Sequence, residues 1–257
     1  MPEFSDYPTG VFCWVDHGAK EISASNAFYS GLFGWDAEDQ GEEAGHYTIL
    51  NKAGKSVAGN MAVMAEGQPC AWTSYVCVED ADATVDKAKR AGAMVFAEPM
   101  DVMDIGRMAV FADPTGAALG IWQPKSFPGA GLGNEAGSLC WNELNTRDLP
   151  AAKAFYSDVF GWTANDQDMG DMQYTEWKIG ERSIGGMMAM PDMVPAEVPA
   201  HWLVYFGTDD TDATVAKAES LGATTLMPPT DIPPGRFAVL MDPDGAAFAL
   251  IKMQAAS

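Results

Sequence analysis

Ala27-Phe28-Tyr29-Ser30-Gly31-Leu32-Phe33-Gly34-Trp35 returns as Ala154-Phe155-Tyr156-Ser157-Asp158-Val159-Phe160-Gly161-Trp162, and that recurrence decides the architecture. Upstream of it, Cys13-Trp14 comes back as Cys140-Trp141. Downstream, Ala83-Thr84-Val85 comes back as Ala213-Thr214-Val215, Gly106-Arg107 as Gly235-Arg236, and Asp113-Pro114 as Asp242-Pro243. Solenoid repeats have periods of only about 20 to 50 residues, so a repeat of this length is a duplicated domain. The 257 residues divide into a first copy over 1–124, a Gly/Pro-rich linker over 125–137 and a second copy over 138–257.

Composition narrows the possible partners. Thirty-six acidic residues against fifteen basic ones give a net charge of −21, which repels nucleic-acid phosphates and acidic membrane surfaces alike. No apolar run reaches the roughly 20 residues of a membrane span, and Met1-Pro2-Glu3-Phe4-Ser5-Asp6 lacks the basic and apolar blocks of a secretory signal. A soluble, cytoplasmic protein is expected, with neither nucleic acid nor membrane as partner. The four cysteines form no Cys-x-x-Cys pair and are too few for a disulfide scaffold.

Within each copy the apolar pattern alternates between strand and helix periods. Asp148 and Pro150 open a helix over 151–160 that Gly161 ends, and its partner starts near Ser23 or Ser25 and stops at Gly34. Extended pieces follow at 47–50 and 56–64, and at 174–179 and 183–190. The scheme then restarts with a strand at 72–78 or 202–206 and a helix at 81–91 or 211–221. Strands follow at 93–96, 108–111 and 117–122 in the first copy, and at 237–241 and 246–251 in the second, with an Asp-Pro-x-Gly turn before each last strand. Each copy is thus a pair of βαβββ units, an α+β arrangement whose two curved sheets can close around a cleft fit for a small molecule.

With these motifs in place, the chain resembles the vicinal oxygen chelate superfamily of glyoxalase I, bleomycin-resistance proteins and extradiol dioxygenases, in its tandem two-domain form. The Ala-Phe-Tyr helices running into Phe-Gly-Trp and the Asp-Pro-x-Gly turns carry the resemblance over both copies. It implies the fold; activity varies widely on that scaffold. It also implies metal ligands, typically a His early in the first strand, another at the start of the fifth and a Glu in the last. At those places stand Trp14 and Trp141, Thr73 and Leu203, and Gly120 and Ala249. Trp, Gly, Ala and Leu side chains donate nothing to a divalent cation, so neither a metal site nor any other cofactor is expected.

Strand alternation puts Trp14 with Asp16, and Trp141 with Glu143, on one face. If the tryptophans point inward, Asp16 and Glu143 are cavity carboxylates available as acid/base groups; otherwise they cap backbone groups or pair with Arg107 and Arg236. The matched pairs Tyr47 and Tyr174, Tyr75 and Tyr205, and Trp72 and Trp202 either line the cleft or fill the core. His46 faces Gln173 across the repeat. Met61, Met64, Met187, Met188 and Met190 cluster on one strand per copy, where flexible thioethers either adapt to an apolar ligand or fill core gaps. His17 is assigned to a loop, and no Ser-His-Asp spacing appears.

The expected function is metal-independent binding of an apolar or aromatic small molecule, of the antibiotic or secondary-metabolite kind. The alternative is a lyase, isomerase or hydroxylase-type enzyme working through Asp16 or Glu143. A third arrangement has one copy binding while the other supports it. Because the duplicated chain is already a pseudo-dimer, either a monomer or a homodimer is expected.

Overall fold

Two eight-stranded sheets, one per copy, are laid out identically in the computed structural model, which describes residues 3–63, 67–168, 173–191 and 194–254. In the first copy the chain runs β1 (Phe12–Ala19), α1 (Ile22–Phe33), β2 (Asp36–Asp39), β3 (Thr48–Lys52) and β4 (Lys55–Ala62). It continues with β5 (Ala71–Cys77), α2 (Ala81–Arg90), β6 (Met94–Val102), β7 (Gly106–Ala112) and β8 (Ala118–Pro124). The second copy repeats this as β9 (Leu139–Thr146), α3 (Leu149–Phe160), β10 (Thr163–Asp168), β11 (Gln173–Ile179) and β12 (Arg182–Ala189). Its second unit is β13 (His201–Gly207), α4 (Thr211–Ser220), β14 (Thr224–Ile232), β15 (Gly235–Met241) and β16 (Ala247–Met253). Met64 lies outside the described residues.

The strand order β2-β3-β4-β1-β5-β8-β7-β6 shows how two βαβββ units become one sheet. Within each unit the first and last strands are parallel (β1 with β4, β5 with β8), and the units join through antiparallel β1 and β5. The sheet curls. Ile49 of β3, Trp14 of β1, Tyr75 of β5, Trp122 of β8 and Met108 of β7 all meet in one cluster on its concave face.

The convex faces carry the helices, and here the copies are interlocked. One core packs the second unit of the first copy (Val76, Val85, Phe111, Ile121) against the first unit of the second copy (Phe155, Tyr156, Trp162, Trp177). The other core joins Phe28, Tyr29 and Trp35 to Phe206, Leu240 and Phe248. The sheets therefore stand back to back, touching directly where β5 and β8 meet β13 and β16, with the helix pairs α1–α4 and α2–α3 packed on either side of that contact and the concave faces looking outward.

The two sequence motifs that recur together meet across this seam. The Tyr29 hydroxyl donates to Asp242 Oδ2 and the Tyr156 hydroxyl to Asp113 Oδ2, each at 2.8 Å. Each aspartate also gathers backbone N–H groups of its own Asp-Pro-x-Gly turn through Oδ1. His17, assigned to a loop from its neighbours Gly18-Ala19, is instead a β1 residue on the convex face. It is fully buried, with Nε2 2.8 Å from Asp242 Oδ2.

Candidate functional site

Each concave face holds the same cluster: a tryptophan and a carboxylate two residues apart on the first strand, with a tyrosine from either side. In the first copy, Trp14 Nε1 donates to Asp16 Oδ1 at 2.7 Å and to the Tyr47 hydroxyl at 2.9 Å. The Tyr47 hydroxyl donates to Asp16 Oδ1 at 2.5 Å, and Tyr75, paired with Trp14 across β1 and β5, adds a second phenol whose interaction favours the ionised carboxylate. In the second copy the Tyr205 hydroxyl donates to Glu143 Oε1 at 2.9 Å and Trp141 Nε1 donates to the Tyr174 hydroxyl at 2.9 Å, and Tyr174 is the second phenol whose interaction favours the ionised Glu143.

Backbone geometry makes room for these groups. Gly59 lies beside Asp16 in the parallel pairing of β1 and β4, and Gly186 lies beside Glu143 in that of β9 and β12. A methyl on Gly59 would overlap the Tyr47 hydroxyl and the Asp16 carboxylate, and one on Gly186 would overlap the Tyr174 hydroxyl. The sequence signal was available, because Gly59 and Gly186 recur at the same spacing as Trp14 and Trp141.

The carboxylates are 8% and 6% exposed. Burial pushes Asp16 above the ordinary carboxylate range, against the opposing hydrogen bonds of Tyr47, Trp14 and Tyr75. Glu143 is raised in the same way, against Tyr205, Tyr174 and Asn145. Burial and the neighbouring carboxylate also raise all four tyrosines, which stay neutral hydrogen-bond donors. The arrangement can hold a proton in a dry site and offer it, or a hydroxyl, to a bound molecule.

The superfamily's metal does not fit these residues. The Tyr75 ring covers the place a Gly120 side chain would occupy, so no carboxylate can be carried there. Ala249, beside Tyr205, has no donor atom. The indole N–H groups of Trp14 and Trp141 are hydrogen-bond donors already spent on the cluster. One carboxylate per cleft is left, and among the described residues no three His, Cys, Asp or Glu side chains converge on a metal-sized site.

Several residues expected at the cleft are elsewhere. Trp72 and Trp202 lie on the convex side, three residues from Tyr75 and Tyr205, an odd spacing that reverses the face of a strand. Their indoles donate to Tyr29 and Tyr156 in the inter-sheet cores. Arg107 and Arg236 neighbour Met108 and Phe237, which face the clefts, and so point away from them. Their guanidinium groups clamp Asp82 on α2 and Asp212 on α4, so neither arginine pairs with Asp16 or Glu143. His46 sits in the exposed loop before β3, 2.9 Å from Asp39. Met61 and Met188 follow Gly59 and Gly186 by two and stay half-buried on the concave side, whereas Met187 is sealed in the inter-sheet core.

The fold also assembles a Ser-His-Asp constellation that no spacing announced. Ser25 Oγ lies 3.0 Å from His17 Nδ1, and His17 Nε2 reaches Asp242 of the other copy. All three are under 9% exposed and far from either concave face, so the constellation ties the copies together and meets no substrate.

A back-to-back pair of curled βαβββ sheets with polar clusters on the concave faces defines a tandem two-domain protein of the glyoxalase type. The Glyoxalase/Bleomycin resistance protein/Dioxygenase superfamily model matches residues 139–250 and the Glyoxalase-like domain model residues 13–121. The chain is 43% identical over 260 residues to "Putative glyoxylase CFP32" of Mycobacterium tuberculosis (strain CDC 1551 / Oshkosh), covering 98% of each. It is 37% identical to the Anthracycline biosynthesis protein DnrV of Streptomyces peucetius, over 96% of this chain and 95% of that one. The chain belongs to the glyoxalase/bleomycin resistance protein/dioxygenase superfamily. Solved structures share the fold at low identity. The Mn(II)-bound glyoxalase from Novosphingobium aromaticivorans matches with TM-score 0.62 and 15% identity over 97% of this chain and 86% of that one. The 2,2',3-trihydroxybiphenyl 1,2-dioxygenase from Sphingomonas wittichii strain RW1 matches with TM-score 0.65 and 15% identity over 95% and 91%.

Proposed function

We propose that this chain is a metal-independent member of the superfamily that binds an apolar or aromatic small molecule on a concave face, against Trp14 or Trp141 and the tyrosine-carboxylate cluster. The observation that carries this is the replacement of ligand positions by Trp14, Gly120, Trp141 and Ala249, with the Tyr75 ring filling the space over Gly120. Rings and thioethers supply apolar area, and the buried carboxylate with its phenols supplies a few placed polar groups, the usual make-up of a small-molecule site. Likeness to the anthracycline biosynthesis protein DnrV supports a polycyclic aromatic ligand from a secondary-metabolite pathway. The test is a titration of the purified chain with an anthracycline, followed by tryptophan fluorescence, alongside elemental analysis. Saturable quenching with less than a tenth of an equivalent of transition metal is expected; a full equivalent of tightly held Mn, Fe, Ni or Zn per copy would sink the reading.

The enzymatic alternative has one specific support: burial holds Asp16 and Glu143 above the ordinary carboxylate range beside neutral phenols, the setting in which a carboxyl serves as general acid or base near neutral pH. A turnover whose pH profile disappears in Asp16→Asn or Glu143→Gln would favour it over binding alone.

A further inference from the structure

The two clefts share a cluster but not a filling. In the first copy the linker folds back into its own cleft. The Phe127 ring stands perpendicular to Trp14, with ring centroids 5.0 Å apart and planes at 90°, and also packs against Trp122. It is pinned there by Trp122 Nε1 donating to its carbonyl at 2.8 Å and by its own N–H on Ile105 O. Tyr7 closes over the same cluster, its hydroxyl donating to Ala130 O at 2.7 Å, and Ala130 in turn bonds Cys13 O.

The second copy has the same strand positions with less on them. The pair Cys77 and Trp122, adjacent on β5 and β8, becomes Gly207 and Ile251 on β13 and β16. Tyr7 becomes Asn134 at the repeat spacing that relates Trp14 to Trp141. Among the described residues no aromatic ring pairs with Trp141. Beside Gly207 and Ile251 lies an open hollow of about 490 Å3 whose rim is polar, with Lys52, Glu135, Thr208 and Asp209; Asn134 and Cys140 connect it to a smaller hollow of about 120 Å3 that Trp141 lines. Cys140 and Ile251 also belong to the apolar lining around Trp141.

We infer that Phe127 is an internal stand-in for a ligand ring. The first cleft is occupied by the chain itself, and the second takes one uncharged aromatic molecule whose ring stands perpendicular to Trp141 as Phe127 does to Trp14. This rests on the reading that the clefts take aromatic small molecules, and adds which cleft, how many and in what pose. A perpendicular pair suits an indole wall because the positive edge of one ring meets the negative face of the other.

The test uses the full-length chain and the neutral fluorescent probe N-phenyl-1-naphthylamine, titrated with stoichiometry read at saturation. Wild type is expected to bind one equivalent. Ile251→Trp, which restores the bulk found at Trp122, is expected to weaken binding about tenfold or more. Phe127→Ala is expected to raise the stoichiometry toward two, with near-UV circular dichroism showing that both variants fold. Two equivalents bound by wild type, a measurement that needs no variant, would overturn the inference and leave the proposed function standing. So would a folded Ile251→Trp protein that binds as well as wild type, or a folded Phe127→Ala protein that still binds only one. No saturable binding to either wild type or Phe127→Ala would overturn the proposed function and the inference together.

Discussion

Gly59 and Gly186 show how tightly the candidate site is drawn, since at each a tyrosine hydroxyl takes the space that a side chain would fill. Gly59→Ala should cost about 1–3 kcal/mol, the usual price of overpacking, read as a drop in Tm together with altered near-UV circular dichroism from Tyr47 and Trp14. The carboxylates make a second prediction. Asp16 and Glu143 are raised in the folded state by burial, so what they contribute is fully present below the unfolded-state range near pH 4 and is lost as pH rises through the folded values. Asp16→Asn and Glu143→Gln keep the shape without the charge. Their Tm relative to wild type should therefore climb between pH 4 and pH 8, by the equivalent of about 1.4 kcal/mol for each unit of folded-state shift; a flat difference would mean that these groups ionise normally. At this scale sequence was informative about Trp14, Trp141, Asp16 and Glu143, because counting back from Phe28 and Phe155 lands on a strand whose alternation fixes their common face. It left Trp72 and Trp202 open between cleft and core and offered Arg107 and Arg236 to the carboxylates, because recurrence in two copies marks a position as important without saying which side of the sheet it occupies.

The helices and most strands follow from local chemistry. Asp148 caps α3, its carboxylate accepting from Ala151 N–H at 3.0 Å, whereas Glu21 before α1 makes no side-chain cap and that helix begins at Ile22, ahead of Ser23 and Ser25. Asp148→Ala should therefore lose about 0.5–2 kcal/mol in chemical denaturation while Glu21→Ala loses nearly nothing. The strands that sequence missed have a physical reason to be illegible. β14 carries Pro228 and Pro229, and proline argues against a strand unless it lies at an edge or a bulge; β14 is both the sheet edge and a site of register shifts. β6, which carries Pro99, runs on to Val102 for the same reason, well beyond the expected 93–96. β2 and β10 are edge strands rich in Asp, with little apolar alternation to reveal them.

At the level of the whole molecule, the duplication was plain in the sequence but the pairing of the cores was not. Apolar periodicity shows that a helix buries a face, not whose sheet it buries it against. The cores are crossed, with α1 and α4 sharing one and α2 and α3 the other. A chain cut to residues 1–129 would leave Phe28, Tyr29, Val85 and Phe111 without partners. It should sediment as a dimer that rebuilds the crossed packing with a second identical copy, or fail to show a cooperative melt; a stable monomeric half would contradict the packing described here. Because the helical backs are packed together, the two carboxylate clusters sit on separate sheets, each with its own tyrosines, even though Phe4, Tyr7 and Lys52 of the first copy border the hollows of the second. A substitution in one cluster leaves the other's hydrogen-bond partners in place, so a duplicated gene of this design lets its two floors diverge one at a time.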